Sequence, residues 1–261
     1  MTEHLMTEHQ WRVASRVLDE ESTRRQHLVV SLSGAHAYGF PSPDSDLDLK
    51  CVHVTPTAEL LRLEQRGSAA AAERLEVVEG VEVDYSSNEV GPVLSGVLQG
   101  NGNYLERLLG AHTLRGSAEL ESLRPLVRGV LSRRLHRHYR GFAQSQLREW
   151  EKTGFRSTKK LLYVLRTTLT GTHALLTGEV ETDLTALMER YGFGEAGELV
   201  AWKLRGERSE LPEALSEHWR AQVGRAFELL DSARERSVLP EEPVGADELE
   251  AWLLELRRSR F

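Results

Sequence analysis

The chain has 261 residues, room for one large domain or two small ones, and 40% of them are hydrophobic, enough for a buried core. A net charge of −7 argues at first against a nucleic-acid binder, and no apolar run approaches the ~20 residues of a membrane helix. A single cysteine, Cys51, rules out an internal disulfide and a thiolate-rich zinc site; with a polar start to the chain, the expectation is a cytoplasmic protein with no membrane partner.

Residues 8–25 predict an amphipathic helix with Trp11, Val13, Ala14, Val17 and Leu18 on its apolar side. An apolar strand over 27–33 follows and runs into Ser33-Gly34-Ala35-His36-Ala37-Tyr38-Gly39-Phe40-Pro41-Ser42-Pro43-Asp44-Ser45-Asp46, the stretch that organises the chain. Its glycines let the backbone approach a bulky anion, because no Cβ stands in the way. The next strand, 46–54, alternates, with Asp46, Asp48, Lys50, Val52 and Val54 on one side and Leu47, Leu49, Cys51 and His53 on the other. Cys51 reads there as a small buried hydrophobe. Asp46 and Asp48 share a face, and two carboxylates that close repel unless a cation lies between them. A phosphate-sized loop beside such a pair is the pattern of metal-dependent phosphoryl transfer. Standing alone, Asp44-Ser45-Asp46-Leu47-Asp48 is a turn and a strand start; the complete set carries the functional reading.

Pro56 ends this strand and opens a helix to about Arg66, and Gly67-Ser68-Ala69-Ala70-Ala71-Ala72 reads as a loop. Strands over 74–78 and 81–85 form a hairpin about Glu79-Gly80. Alternation sets Glu82 and Asp84 on one face of the second strand. Both are candidates for a third carboxylate; Asp84 is preferred, because its shorter side chain holds a metal or a hydroxyl with less freedom. Asn88 is expected to cap a helix to about Leu98, residues 100–103 to turn, and Tyr104 to Leu109 to form a short helix. Pro125 is placed in the connection to the second half.

Gly34-Ala35-His36-Ala37-Tyr38-Gly39 followed by Ser45-Asp46-Leu47-Asp48 resembles the signature of DNA polymerase β-like nucleotidyltransferases. With Ala-Tyr-Gly, the Ser-Pro-Asp-Ser-Asp loop and Asn101-Gly102-Asn103-Tyr104-Leu105-Glu106, it is most similar to the RNA-repair-pathway DNA polymerase β family, over roughly residues 27–110. The resemblance implies Mg²⁺ or Mn²⁺ on Asp46, Asp48 and Asp84, and a nucleoside triphosphate such as ATP as substrate. Ser33, Gly34, Ala35, His36, Tyr38 and Ser45 fall in the implied nucleotide-binding loop, and Asn103 and Glu106 near the site. One position departs: Ala35 stands where the family usually has Ser, leaving the backbone N–H groups without that hydroxyl. His36 is open to two roles, touching the triphosphate or packing.

From Val130 onward the pattern is helical. Ser157 caps a helix to about Thr177 in which Lys159, Tyr163, Arg166, Thr170 and His173 recur on one face. The resemblance implies that Lys159, Tyr163 and Arg166 serve the triphosphate; otherwise the stripe is a solvated or salt-bridged face. Further helices are expected from 182 to 190, 194 to 204, 212 to 236 and 246 to 258. Residues 128–166 hold eleven Lys or Arg and two acids, either a track for an RNA acceptor or a face balancing the acidic remainder. No P-loop, G-x-S-x-G elbow or H-E-x-x-H motif is present.

The expected fold class is an α/β (α+β) nucleotidyltransferase core with a mixed sheet over 1–128, followed by an all-helical domain over 129–261. The expected function is transfer of a nucleoside monophosphate to a hydroxyl, with RNA repair implied by the resemblance. The alternative is a non-catalytic nucleic-acid or partner-binding module on the same fold.

Overall fold

Thr7 starts the first helix: its hydroxyl accepts from the Gln10 N–H while the Gln10 side chain accepts from the Thr7 N–H. This box opens α1 (Glu8–Ser22) in a computed structural model that describes residues 5–63, 71–206 and 209–261. Val13, Ala14, Val17 and Leu18 are buried as the helical period requires, but Trp11 is 42% exposed. At about 100° per residue it lies about a quarter-turn off the middle of the buried stripe, too far round to reach the core.

The chain continues through β1 (Gln26–Leu32), the short α2 (Gly34–Ala37), β2 (Leu47–Val54) and α3 (Thr57–Leu60), with Pro56 immediately before the last. The helix expected to run to Arg66 ends at Leu60, with Leu61 as its C-cap and a turn and bend over 61–63; most of the loop expected at 67–72 lies outside the described residues, and Ala72 already belongs to β3 (Ala72–Val78). Glu79 and Gly80 take φ of 50° and 83° between β3 and β4 (Val81–Glu89), the two left-handed positions that a tight hairpin needs. Next come α4 (Val90–Leu98) and α5 (Gly102–Leu109), then β5 (Thr113–Gly116) and α6 (Ala118–Gly129).

The sheet is mixed, in the order β3-β4-β2-β1-β5, with β2 and β4 parallel and the other pairs antiparallel. Along β2 and β4, Leu47, Leu49, Cys51, Val83 and Tyr85 are fully buried in one core with Val13, Val17 and Leu18 of α1. The alternate residues Asp48, Lys50, Asp84 and Ser86 are only half-buried, so one sheet face carries the core and the other carries the polar and charged side chains.

Three sequence expectations change. Asn88 does not cap α4: it remains in the β2–β4 ladder opposite Val52, and its side-chain oxygen accepts from Arg107 at 2.5 Å. Glu89 caps instead, accepting from the Gly91 N–H at 2.7 Å. Pro125 lies inside α6 rather than in a connection. The edge strand β5 has no counterpart in the sequence pattern, being four residues at the end of the sheet, laddered to β1.

Beyond α6 the chain is helical: α7 (Leu135–Lys152), α8 (Thr158–Thr177), α9 (Leu184–Met188), α10 (Ala196–Lys203), α11 (Glu213–Glu235) and α12 (Ala246–Ser259). A mixed five-stranded sheet with flanking helices, and a helical C-terminal portion, is the fold class expected. By contact the chain divides into two units, the first comprising Met1–His36, Asp46–Val130 and Pro243–Phe261, the second Ala37–Ser45 and Leu131–Glu242. In the first, α12 is tied to the sheet: Arg257 pairs with buried Glu89 at 2.6 Å, and the Thr57 N–H donates to the Arg260 carbonyl. In the second, α8 is the central helix, buried along nearly its whole length against α7 and α11. Gly171 permits this, since a Cβ there would lie 2.6 Å from Tyr139 Cβ.

Candidate active site

In the first unit the acids are brought together by strand register. Asp48 on β2 and Asp84 on β4 are direct Cα partners in the parallel ladder. Partners in register project to the same face, so these two carboxylates are neighbours although 36 positions apart in sequence. The paired ladder begins at Leu47 and Val83, which leaves Glu82 before it and exposed. Asp46 immediately precedes β2 and is half-buried.

Gly34 lies directly against this cluster. Its φ is +63°, and a Cβ on it would stand 1.8 Å from Asp48 Oδ2. No side chain is compatible with that approach, which is the physical need for glycine in the motif. The Ser33 N–H donates to the Asp48 carbonyl at 2.9 Å, fixing the loop to the strand. Gly34, Ala35 and His36 are buried, His36 to 98%, so the imidazole packs within the fold.

Burial, and next the charge of Asp46, push the Asp48 carboxyl up to about 6; Asp84 adds to the rise and Lys50 opposes it. Lys50 is the residue whose role sequence reasoning missed. Its Nζ lies 2.7 Å from Asp84 Oδ1 and 3.6 Å from Asp48 Oδ1. The signal was available, since strand alternation already sets Lys50 on the face of Asp46 and Asp48. Among the described residues no three His, Cys, Asp or Glu side chains are gathered as a metal cluster. The donor chemistry nonetheless suits a hard divalent ion: carboxylate oxygens on one face, one of them raised by burial and by its acidic neighbours, an environment that a bound cation would relieve.

The other named residues fall elsewhere. Asn103 is exposed in the first turn of α5, where its N–H donates to Asn101 Oδ1, and Glu106 lies one turn further on. Tyr38, Ser45, Lys159, Tyr163 and Arg166 belong to the second unit. There Tyr38 and Tyr163 meet edge-to-face at 5.7 Å, and the Arg166 guanidinium stacks 3.7 Å over the Tyr38 ring, 1% exposed. Lys159 lies one turn before Tyr163 on α8 and is half-buried. Ser45 is a brace: its Oγ accepts from the Ser42 N–H at 2.9 Å, and fully buried Lys203 donates to Ser42 Oγ at 2.6 Å and reaches Ser45 Oγ at 3.4 Å. Several cations of the 128–166 segment are taken up locally, Arg140 by Asp231, Lys152 by Glu149 and Arg134 by Glu242.

An uncharacterized protein of Methanocaldococcus jannaschii is 24% identical over 226 residues, covering 86% of this chain and 91% of that one. A nucleotidyltransferase-like protein from Exiguobacterium sibiricum, known from its crystal structure, is similar over 95% of this chain and 80% of its own at 11% identity, with a TM-score of 0.33, too low to carry weight. The sequence profile of the RNA repair pathway DNA polymerase beta family matches residues 12–255, nearly the full chain, and the protein belongs to that family.

Proposed function

We propose that the protein is a metal-dependent nucleotidyltransferase that transfers a nucleoside monophosphate from an NTP to a hydroxyl and releases pyrophosphate. The observation that carries the proposal is the register pairing of Asp48 with Asp84 beside a glycine that abuts the Asp48 carboxylate. Asp46, Asp48 and Asp84 are the residues that would hold Mg²⁺ or Mn²⁺. When bound, such an ion would neutralise phosphate charge and acidify a hydroxyl. Asp84, at 42% side-chain exposure the most open member of the pair, would receive the proton of the acceptor hydroxyl. The acceptor oxygen bonds to the α-phosphorus as the bond from that phosphorus to the pyrophosphate oxygen breaks. Backbone N–H groups about Gly34 and Ala35 would take the β and γ phosphates, a role that needs no side chain at position 35. The family description names RNA repair, so an RNA hydroxyl is the first acceptor to test.

The experiment incubates the protein with each α-³²P NTP, Mg²⁺ or Mn²⁺, and separate RNA and protein pools, beside an Asp46→Ala/Asp48→Ala control. Label in one pool, absent from the control, supports the proposal and names the acceptor class. Label that survives in the control, or no label and no NTP binding, overturns it; the latter leaves the non-catalytic module.

A further inference from the structure

Lys50 follows Asp48 by two positions on β2, and its ammonium reaches back along the sheet face instead of outward to water. Nζ lies 2.7 Å from Asp84 Oδ1, 3.6 Å from Asp48 Oδ1 and 3.5 Å from the Asp84 carbonyl. All three are oxygens of the kind that ligate a hard cation, and the Lys50 side chain is only 19% exposed. A lysine ammonium is a compact point charge on a flexible four-carbon stem, able to occupy a cation position and to leave it. Two carboxylates in register on one face need a positive charge between them, and Lys50 brings that charge on the same strand.

We infer that Lys50 is the resident cation of the Asp48–Asp84 pair, an internal stand-in that holds the metal-free site together and gives way when a divalent ion enters. The inference rests on the metal-binding reading of these acids and adds a competitor to it. Lysine and metal claim the same oxygens, so the lysine weakens metal binding while it stabilises the empty site. An ordinary structural ion pair would do only the second, and its loss would not be repaired by metal.

The test compares the wild-type chain with Lys50→Met and Lys50→Arg. Mn²⁺ binding is followed by electron paramagnetic resonance of the free ion, and melting is followed in EDTA and in saturating Mn²⁺ at pH 8. Lys50→Met is expected to bind Mn²⁺ at least about tenfold more tightly, since a full positive charge has left the site. It is expected to melt several degrees below wild type in EDTA and to recover most of that deficit in Mn²⁺. Lys50→Arg keeps the charge and is expected to stay near wild type on both readouts, which guards against a Met variant that simply folds poorly. Mn²⁺ affinity in Lys50→Met equal to or below that of wild type overturns this inference alone. A deficit that Mn²⁺ leaves unrepaired does the same. Absence of Mn²⁺ binding in both the wild-type and Met chains overturns the metal-binding reading of the acids together with it.

Discussion

Asp48 is pressed by burial from the sheet, by Asp46 two residues before it and by Asp84 across the ladder, with Lys50 the one group that relieves it. Its carboxyl ionises near pH 6 in the folded chain against 3.8 for the ordinary side chain. The folded state therefore keeps a proton that the unfolded state has lost between those values. The stability Asp48 contributes is whole below about pH 4 and is lost as pH rises through 6, at a cost of about 3 kcal/mol. In EDTA at pH 8, Asp48→Asn is predicted to melt above wild type, with the advantage closing as the pH falls toward 4. A melting difference that is flat with pH would contradict this. At this scale the sequence was readable where alternation governs: Asp46, Asp48, Asp84 and Lys50 could all be assigned to faces from period-two patterning alone. The pairing of Asp48 with Asp84 could not, because register between two strands separated by 36 positions is set by which apolar residues pack against α1, not by the acids themselves.

Glu89 shows how an element boundary escapes the sequence. Asn88 is the better cap by residue preference, yet it is held in the ladder by Val52 and by Arg107, and the next residue caps α4 in its place. Glu89 then serves three elements at once: one oxygen accepts from the Gly91 N–H, the other pairs with Arg257 of α12 and faces the Thr55 N–H at the end of β2. It is 4% exposed, so removing it strands a largely buried guanidinium. Glu89→Ala is predicted to cost about 3–5 kcal/mol in denaturant unfolding of the full chain. A loss below about 1 kcal/mol, the range of a surface pair, would show that Arg257 finds another partner. The helix α8 is the opposite case. Its polar stripe was visible from the 3.6 period, but its ring partner Tyr38 lies 128 positions before Arg166, and no local pattern announces a stack of that separation.

The sheet unit is discontinuous in sequence, beginning near the first residues and closed by α12 at the last. Ion pairs Arg257–Glu89 and Arg260–Glu119, with the Trp252 indole donating to Ser122, join the last helix to β4, α4 and α6. Deleting residues 243–261 is therefore predicted to lower amide-exchange protection in β2 and β4, far from the deletion in sequence; unchanged protection there would show the sheet unit independent of α12. Charge counting foresaw a basic segment in the second half but not its local neutralisation, because the acids Asp231 and Glu242 that meet it come from later in the chain. The measurement that bears most directly on the proposed chemistry is the rate of NMP transfer by wild type, Asp84→Asn and Glu82→Gln side by side, each with Mn²⁺ and the acceptor class found for wild type. Asp84→Asn is expected to lose about 10²-fold or more, the scale of a proton acceptor removed, and Glu82→Gln to stay within a few-fold of wild type. Equal rates in wild type and Asp84→Asn, or a larger loss in Glu82→Gln, would contradict the assignment of the register-paired carboxylates to the reaction.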